Sequence, residues 1–338
     1  MHCIYISFCC IASSFSQTLP VDSINGINKI AGTIVKKPKE QQYYVGNGKT
    51  FIYSKPKAFS FLTNLPKDAA GITTAVFKKK SIKSLFILAR STALLILTDQ
   101  AITDGVDKFS TNIHLQSEEK YKDVINIKLG KTNISLLKAP QNFNTAIYQL
   151  GQGFPSLLIG AGLFTYGKIH KDYRAINTAN QLAESFILMG VGTQLIKRIT
   201  GRQSPSEATS SGGVWHFFPS FKQYQNHTPF YDAFPSGHLA TLMSTVIILA
   251  ENYPEKKWIN PVGYSIIGLV GYSMINNKVH WASDYPLAIA LGYLCAKQVV
   301  KNNRRVMQSS STYHHKATLL YKINYVNGRL MPGLVYKF

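Results

Sequence analysis

The sequence predicts an all-α protein, a helical bundle of about six core helices with short N- and C-terminal β-hairpins. Three observations carry this. Six apolar-dominated segments, at about 84–98, 154–168, 183–196, 239–250, 261–277 and 285–299, are longer than ordinary strands and suit helices. Small residues punctuate them (Gly160, Gly162, Gly190, Gly192, Gly268 and Gly271), which permits close approach of helix backbones. Asn-Gly turn signals lie outside them: Asn47-Gly48 between Tyr43–Val45 and Thr50–Tyr53, and Asn327-Gly328 between Leu319–Val326 and Leu330–Phe338.

Composition bounds the partners. The 338 residues suffice for one large domain or two small ones, and 37 Lys+Arg against 16 Asp+Glu give a net charge of +21. Such an excess favours anionic partners. No nucleic-acid module is recognisable and the apolar segments are many, so a membrane surface or anionic lipid is expected rather than nucleic acid. No protein partner is identifiable. Three of the four cysteines fall in the first ten residues, leaving Cys295 as a small apolar core residue.

Residues 1–16 read as an export signal, an apolar run from Cys3 to Phe15 followed by small residues and cleavage after Ser16, although no Lys or Arg precedes the run. Residues 17–80 form an arm, the first hairpin and an amphipathic helix at 59–77, interrupted at Pro66 and ended by Lys78-Lys79-Lys80. That helix either packs on the bundle or lies in a membrane interface. Residues 81–303 form the helical domain and 304–338 a hairpin tail, with Pro332 holding the last strand to a sheet edge. The two hairpins are expected to pair into one small sheet.

Most of the six segments hold about 12–16 apolar-dominated residues, below the roughly 18–20 that cross a bilayer, with Arg90 and Gln194 interrupting two of them. Spanning therefore stays open. Residues 99–153 are mostly polar. Asp99, Asp104 and Asp107 are assigned to solvated helix ends rather than a cation site, and 125–134 to a short irregular excursion. Residues 206–234 are a long insertion rich in aromatics (Trp215, Phe217, Phe218, Phe221, Tyr224, Phe230 and Tyr231). They form either a wall for acyl or prenyl chains at a site mouth or rings that only bury the loop.

Chemistry concentrates in three clusters. In Phe234-Pro235-Ser236-Gly237-His238, Pro235 suits a first helical turn whose unpartnered amides attract an anion, with His238 beside it. In Lys278-Val279-His280-Trp281-Ala282-Ser283-Asp284, the i,i+4 spacing of His280 and Asp284 sets both on one face of a helix. A carboxylate on one imidazole nitrogen leaves the other nitrogen's lone pair free to attack. In Lys197-Arg198-Ile199-Thr200-Gly201-Arg202-Gln203-Ser204-Pro205, a cationic helix end can offset the charge of a phosphoryl group.

The three clusters, in this order over roughly residues 180–300, resemble the signature of the type 2 phosphatidic acid phosphatase/haloperoxidase superfamily, in its bacterial membrane-associated lipid phosphatase branch. The resemblance implies His280 as a nucleophile forming a phosphohistidine, oriented by Asp284. It implies His238 as the acid on the leaving oxygen. Lys197, Ser236 and the Gly237 amide would hold phosphate, and neither a metal nor a cofactor is implied. Two family arginines are absent: their positions hold Ser204 and Met274. Arg202 and Lys278 are nearby cations that can substitute, although a lysine cannot reproduce a bidentate contact. The expected function is a metal-independent phosphatase acting on a phosphate or diphosphate monoester, lipid-linked, at the periplasmic face of a bacterial inner membrane. The alternative is a catalytically impaired member of the same fold that binds anionic lipid, and a vanadate-dependent peroxidase ranks last.

Overall fold

The protein, seen in a computed structural model, is described over residues 39–129, 132–308, 318–326 and 329–337. The expected export signal and most of the arm lie outside these residues, as do the Asn327-Gly328 turn and Cys3, Cys9 and Cys10.

Strands β1 (Glu40–Tyr44) and β2 (Lys49–Ser54) pair antiparallel. Their turn carries positive φ at Gly46, Asn47 and Gly48, as an Asn-Gly hairpin requires. The third strand of this sheet is β5 (Arg305–Gln308) on the free edge of β2, not the C-terminal hairpin. The expected pairing of the two hairpins is therefore wrong. β5 follows the last core helix directly, and Arg304 stacks over the Phe51 ring at 3.9 Å, so closing the chain onto β2 orders few residues. Strands β6 (Thr318–Val326) and β7 (Arg329–Lys337) form their own sheet. A further hairpin, β3 (Tyr121–Leu129) with β4 (Thr132–Pro140), replaces the irregular excursion expected there. The alternation Ile125, Ile127, Leu129 carried its period, masked by the polar surroundings.

The helices are α1 (Ser60–Thr63), α2 (Leu65–Val76), α3 (Ile82–Asn112), α4 (Phe143–Gly151), α5 (Gly153–His170), α6 (Tyr173–Thr200), α7 (Phe221–Asn226), α8 (Gly237–Asn252), α9 (Ile259–Asn276) and α10 (Tyr285–Asn303). The expected amphipathic helix is split between α1 and α2 around Asn64, with Pro66 in the first turn of α2. α2 packs on the bundle: its Asp68 is fully buried and accepts from Gln298 and Asn302 of α10.

The six core helices outrun their apolar segments, α3 reaching 31 residues and α6 28. Each continues into polar residues wherever caps and packing satisfy its ends. Asp172 caps α6 by accepting from the Ala175 amide at 3.0 Å. Gly201 ends it at φ 51, where a Cβ would overlap the His216 carbonyl.

α8 is the buried centre. Its Leu239, Ala240, Met243 and Ile247 join Val270 and Met274 of α9 and Ala288, Cys295 and Ala296 of α10 in one apolar core. Antiparallel packing brings the C-termini of α6 and α9 and the N-termini of α8 and α10 to one end, where α3 passes at Asp99. The β1–β2–β5 sheet lies at the other end. There Tyr53 donates to the Asn252 side chain at 2.7 Å and Arg174 pairs with Glu255 at 2.8 Å.

Candidate active site

After α9 the chain reverses through Lys278, at φ 56, and runs extended through His280 and Trp281. A short 3-10 turn, Ala282–Asp284, then leads into α10. His280 and Asp284 therefore do not share a helix face, as their spacing had suggested. The turn itself folds the carboxylate back. Asp284 Oδ2 accepts from the Trp281 amide at 2.8 Å and lies 3.3 Å from His280 Nδ1. The Ala233 carbonyl, 2.7 Å from the same nitrogen, is a second acceptor. Two acceptors at Nδ1 hold the proton there and leave Nε2 with its lone pair.

His238 occupies the first turn of α8. Its ring centroid is 6.0 Å from that of His280 and 4.9 Å from that of Tyr148. Ser236 is the N-cap of α8: its Oγ accepts from the Leu239 amide at 3.4 Å and reaches Met274 Sδ at 3.5 Å. The amides of Gly237 and His238, at the helix start, have no intrahelical acceptor. A Cβ on Gly237 would meet no atom within 4 Å beyond its chain neighbours, so the side of the helix start at Gly237 is open. Lys197, in the last turn of α6, lies within electrostatic reach of His238, and its Nζ is 3.3 Å from Asp232 Oδ2. The helix tip, both imidazoles and one ammonium thus converge.

The two substitute cations behave differently. Arg202 is fully buried and donates to Asp284 Oδ1, Ser283 Oγ and Asp99 Oδ2, each at 2.6 Å, and to the Gly212 carbonyl at 2.9 Å. A guanidinium committed to two carboxylates clamps the ligand of His280 from behind, which corrects its expected role as a phosphate contact. Lys278 is half exposed and turns to Asp107 on α3, 3.5 Å away, so it too leaves the set of groups at the cleft. Ser204, at one absent-arginine position, bonds the Pro229 carbonyl at 2.9 Å, and Met274, at the other, is fully buried under Ser236.

Asp99 was missed. It is fully buried, and besides Arg202 it accepts from the Ser283 amide at 3.0 Å and the Ser283 hydroxyl at 2.5 Å. Its signal was an acid directly following the apolar run 84–98, where burial demands a partner. Ala233 had no signal, since a carbonyl is common to every residue.

The aromatic insertion splits. Trp215 faces inward, over the Arg202 guanidinium at 4.7 Å and against Phe234 at 5.2 Å. Tyr224 is buried beneath Arg198, and burial with the Asp232 carboxylate pushes its phenol up to about 12, Arg198 opposing them. Phe217, Phe218 and Phe221 point outward. His216 and His227 lie among loop rings, away from the two site imidazoles.

Residues 178–307, which contain all three clusters, match the PAP2 superfamily. That match runs from within α6 to β5. Over 88 residues the chain is 28% identical to the lipid A 1-phosphatase of Porphyromonas gingivalis, covering 26% of this chain and 20% of that relative. This chain thus spans about a fifth of that protein's length. Among solved structures, Aquifex aeolicus LpxE overlays with a TM-score of 0.36 at 20% identity, covering 47% of this chain and 84% of that one. The PAP2-type phosphatidylglycerolphosphate phosphatase of Bacillus subtilis overlays at 0.35 with 19% identity, covering 71% and 94%. The matched residues supply both imidazoles, the helix tip and Lys197, while Tyr148 of α4 and Asp99 of α3 lie upstream of them.

Proposed function

We propose that this protein hydrolyses a phosphate or diphosphate monoester of a membrane lipid through a phosphohistidine on His280. The observation that carries the reading is the pair of imidazoles 6.0 Å apart at an open helix tip, one of them with its Nδ1 saturated. In the first step His280 Nε2 attacks phosphorus in line. The N–P bond forms as the ester P–O bond breaks, and the departing oxygen takes a proton from His238. In the second step water attacks phosphorus and gives its proton to His238. The N–P bond breaks, releasing phosphate and neutral His280. Asp284 and the Ala233 carbonyl hold the charged ring. The Gly237 and His238 amides, with Lys197, balance the phosphoryl oxygens.

The lipid setting is supported by surface chemistry. Within the helix Lys79–Asn112, an 18-residue window has a mean hydropathy of 1.5 with only 6% of it buried. Large apolar side chains are exposed on α3 (Phe86, Leu94, Leu97), α5 (Leu157, Leu158, Ile159), α6 (Val191, Leu195) and α9 (Val262, Leu269). We read this belt as the bilayer-facing surface of the bundle. The helix ends remote from the site, with the short connections beside them, carry Lys78–Lys80, Lys83, Lys171, Arg174, Lys256, Lys257, Lys301 and Arg304. That bias orients them to the cytoplasm and the site to the periplasmic face. The β3–β4 hairpin beside the site also carries lysines (Lys122 and Lys138), so accessibility labelling at both ends is the check on orientation.

Rapid quench of purified protein turning over a short-chain phosphatidic acid tests the mechanism. An acid-labile phosphoprotein lost in His280→Asn is expected, and turnover without any such species refutes it. The second reading, a lipid-binding member without hydrolysis, rests on Ser204 and Met274 and on a Ser236 hydroxyl already engaged with Met274. Absence of turnover with retained binding of the same lipid would establish it.

A further inference from the structure

Three phenylalanines close to the site are unusually open: Phe217, Phe218 and Phe221 are 65, 73 and 72% exposed. They are not on a loose loop. Arg202 and Trp215 form an antiparallel bridge, the His216 amide donates to the Gly201 carbonyl at 2.9 Å, and the Phe218 amide donates to the Ile199 carbonyl at 3.0 Å. Ser220 and Gln223 close a capping box that fixes the start of α7. Phe218 itself sits at φ 56, a conformation that is strained for a bulky residue and that no burial of its ring offsets here. A rigid backbone therefore presents these rings outward at a conformational cost.

Two further observations say what covers them. The rings continue a stripe on α6, where Val191, Leu195 and Ile199 recur every four residues and are 56, 60 and 46% exposed. The Ile199–Phe218 backbone bond joins the stripe to the rings. Beside them stand two cations, Arg198, 5.1 Å from the Phe221 centroid, and exposed Lys222. Apolar rings at the end of an apolar stripe, rimmed by positive charge, match the boundary between acyl chains and anionic headgroups.

We propose that Phe217, Phe218 and Phe221 form an interfacial anchor that seats this loop in the headgroup–acyl boundary of anionic phospholipid. The ladder Phe217–Trp215, with ring centroids 6.3 Å apart, and the Trp215–Arg202 stack tie the anchor to the clamp behind His280. The anchor thereby sets the cleft level with the phosphates of the leaflet. This rests on the lipid-phosphatase reading for its consequence, but not for its test.

The test uses the full chain in vesicles of phosphatidylethanolamine and phosphatidylglycerol. Phe218→Cys, in a background with Cys3, Cys9 and Cys10 replaced by Ser, is labelled with an environment-sensitive NBD fluorophore, buried Cys295 remaining unlabelled. Blue-shifted emission, quenched at least twofold by lipids brominated high on the acyl chain, is expected. Emission at the water-exposed wavelength without quenching overturns the anchor, as does a blue shift insensitive to brominated lipid, which would mark a protein partner. Independently, the triple change of Phe217, Phe218 and Phe221 to Gln should lower kcat/KM tenfold or more on bilayer-embedded phosphatidic acid, leaving a soluble short-chain ester within twofold. Equal losses on both substrates overturn the anchor. If the unaltered protein hydrolyses neither, the phosphatase reading fails and the fluorescence result still decides the anchor.

Discussion

Arg202→Lys separates a clamp behind the nucleophile from a phosphate contact. Arg202 spans two fully buried carboxylates, Asp99 and Asp284, with one bond of 2.6 Å to each and a third to the Ser283 hydroxyl. A lysine keeps the charge, yet its single ammonium cannot bridge both carboxylates in the fork geometry. One carboxylate then loses its cation, and stranding a buried charge costs about 3–5 kcal/mol. The lower figure corresponds to a fall in Tm of roughly 6–12 °C for a domain of this size. Asp284 would also lose its brace, so kcat should drop by about 10²-fold while KM stays within threefold, because ground-state phosphate contacts are untouched. The assays are thermal melts in one detergent and initial rates on a soluble phosphate ester. A variant that melts like the parent but shows a tenfold higher KM would refute the reasoning and return Arg202 to the phosphate.

Four further outcomes follow from the same geometry. His238→Ala should slow turnover about 10²–10⁴-fold, and rapid quench should show whether the phosphoenzyme then accumulates, as expected if dephosphorylation suffers most. Gly237→Ala places a methyl group in open space, so the melt should hold within ~0.5 kcal/mol while KM rises; Gly292→Ala, whose Cβ would overlap the Ala240 carbonyl between α8 and α10, should instead lower Tm sharply. Lys278→Ala breaks only a half-exposed pair with Asp107, and its kcat/KM should stay within twofold of the parent, measured on the same ester.

Much of the site was legible because its parts are local. Ser236 and Gly237 announce a helix start, and Ser236 does cap α8, although Pro235 lies before the cap rather than in the first turn as expected. The Lys197 cluster ends at Gly201, a helix terminator by its backbone alone. What misled was reading charge without partners. Arg202 and Asp99 look like a free cation and a solvated acid until α3 is packed against the turn before α10. Each then satisfies the other out of water. The i,i+4 spacing of His280 and Asp284 gave the right neighbours through the wrong geometry, since a 3-10 turn also returns a side chain over the residue four back.

By itself the sequence determined the helical class, the Asn-Gly hairpins and the order of the three chemical clusters, because periodicity, caps and turn residues act within a few positions along the chain. Only the tertiary structure decided that the Ala233 carbonyl holds the His280 proton. It alone brought Asp99 103 residues along the chain to Arg202, and gave the edge of β2 to β5. Those contacts join segments far apart in the chain, and they depend on which buried polar groups find no water and must find one another.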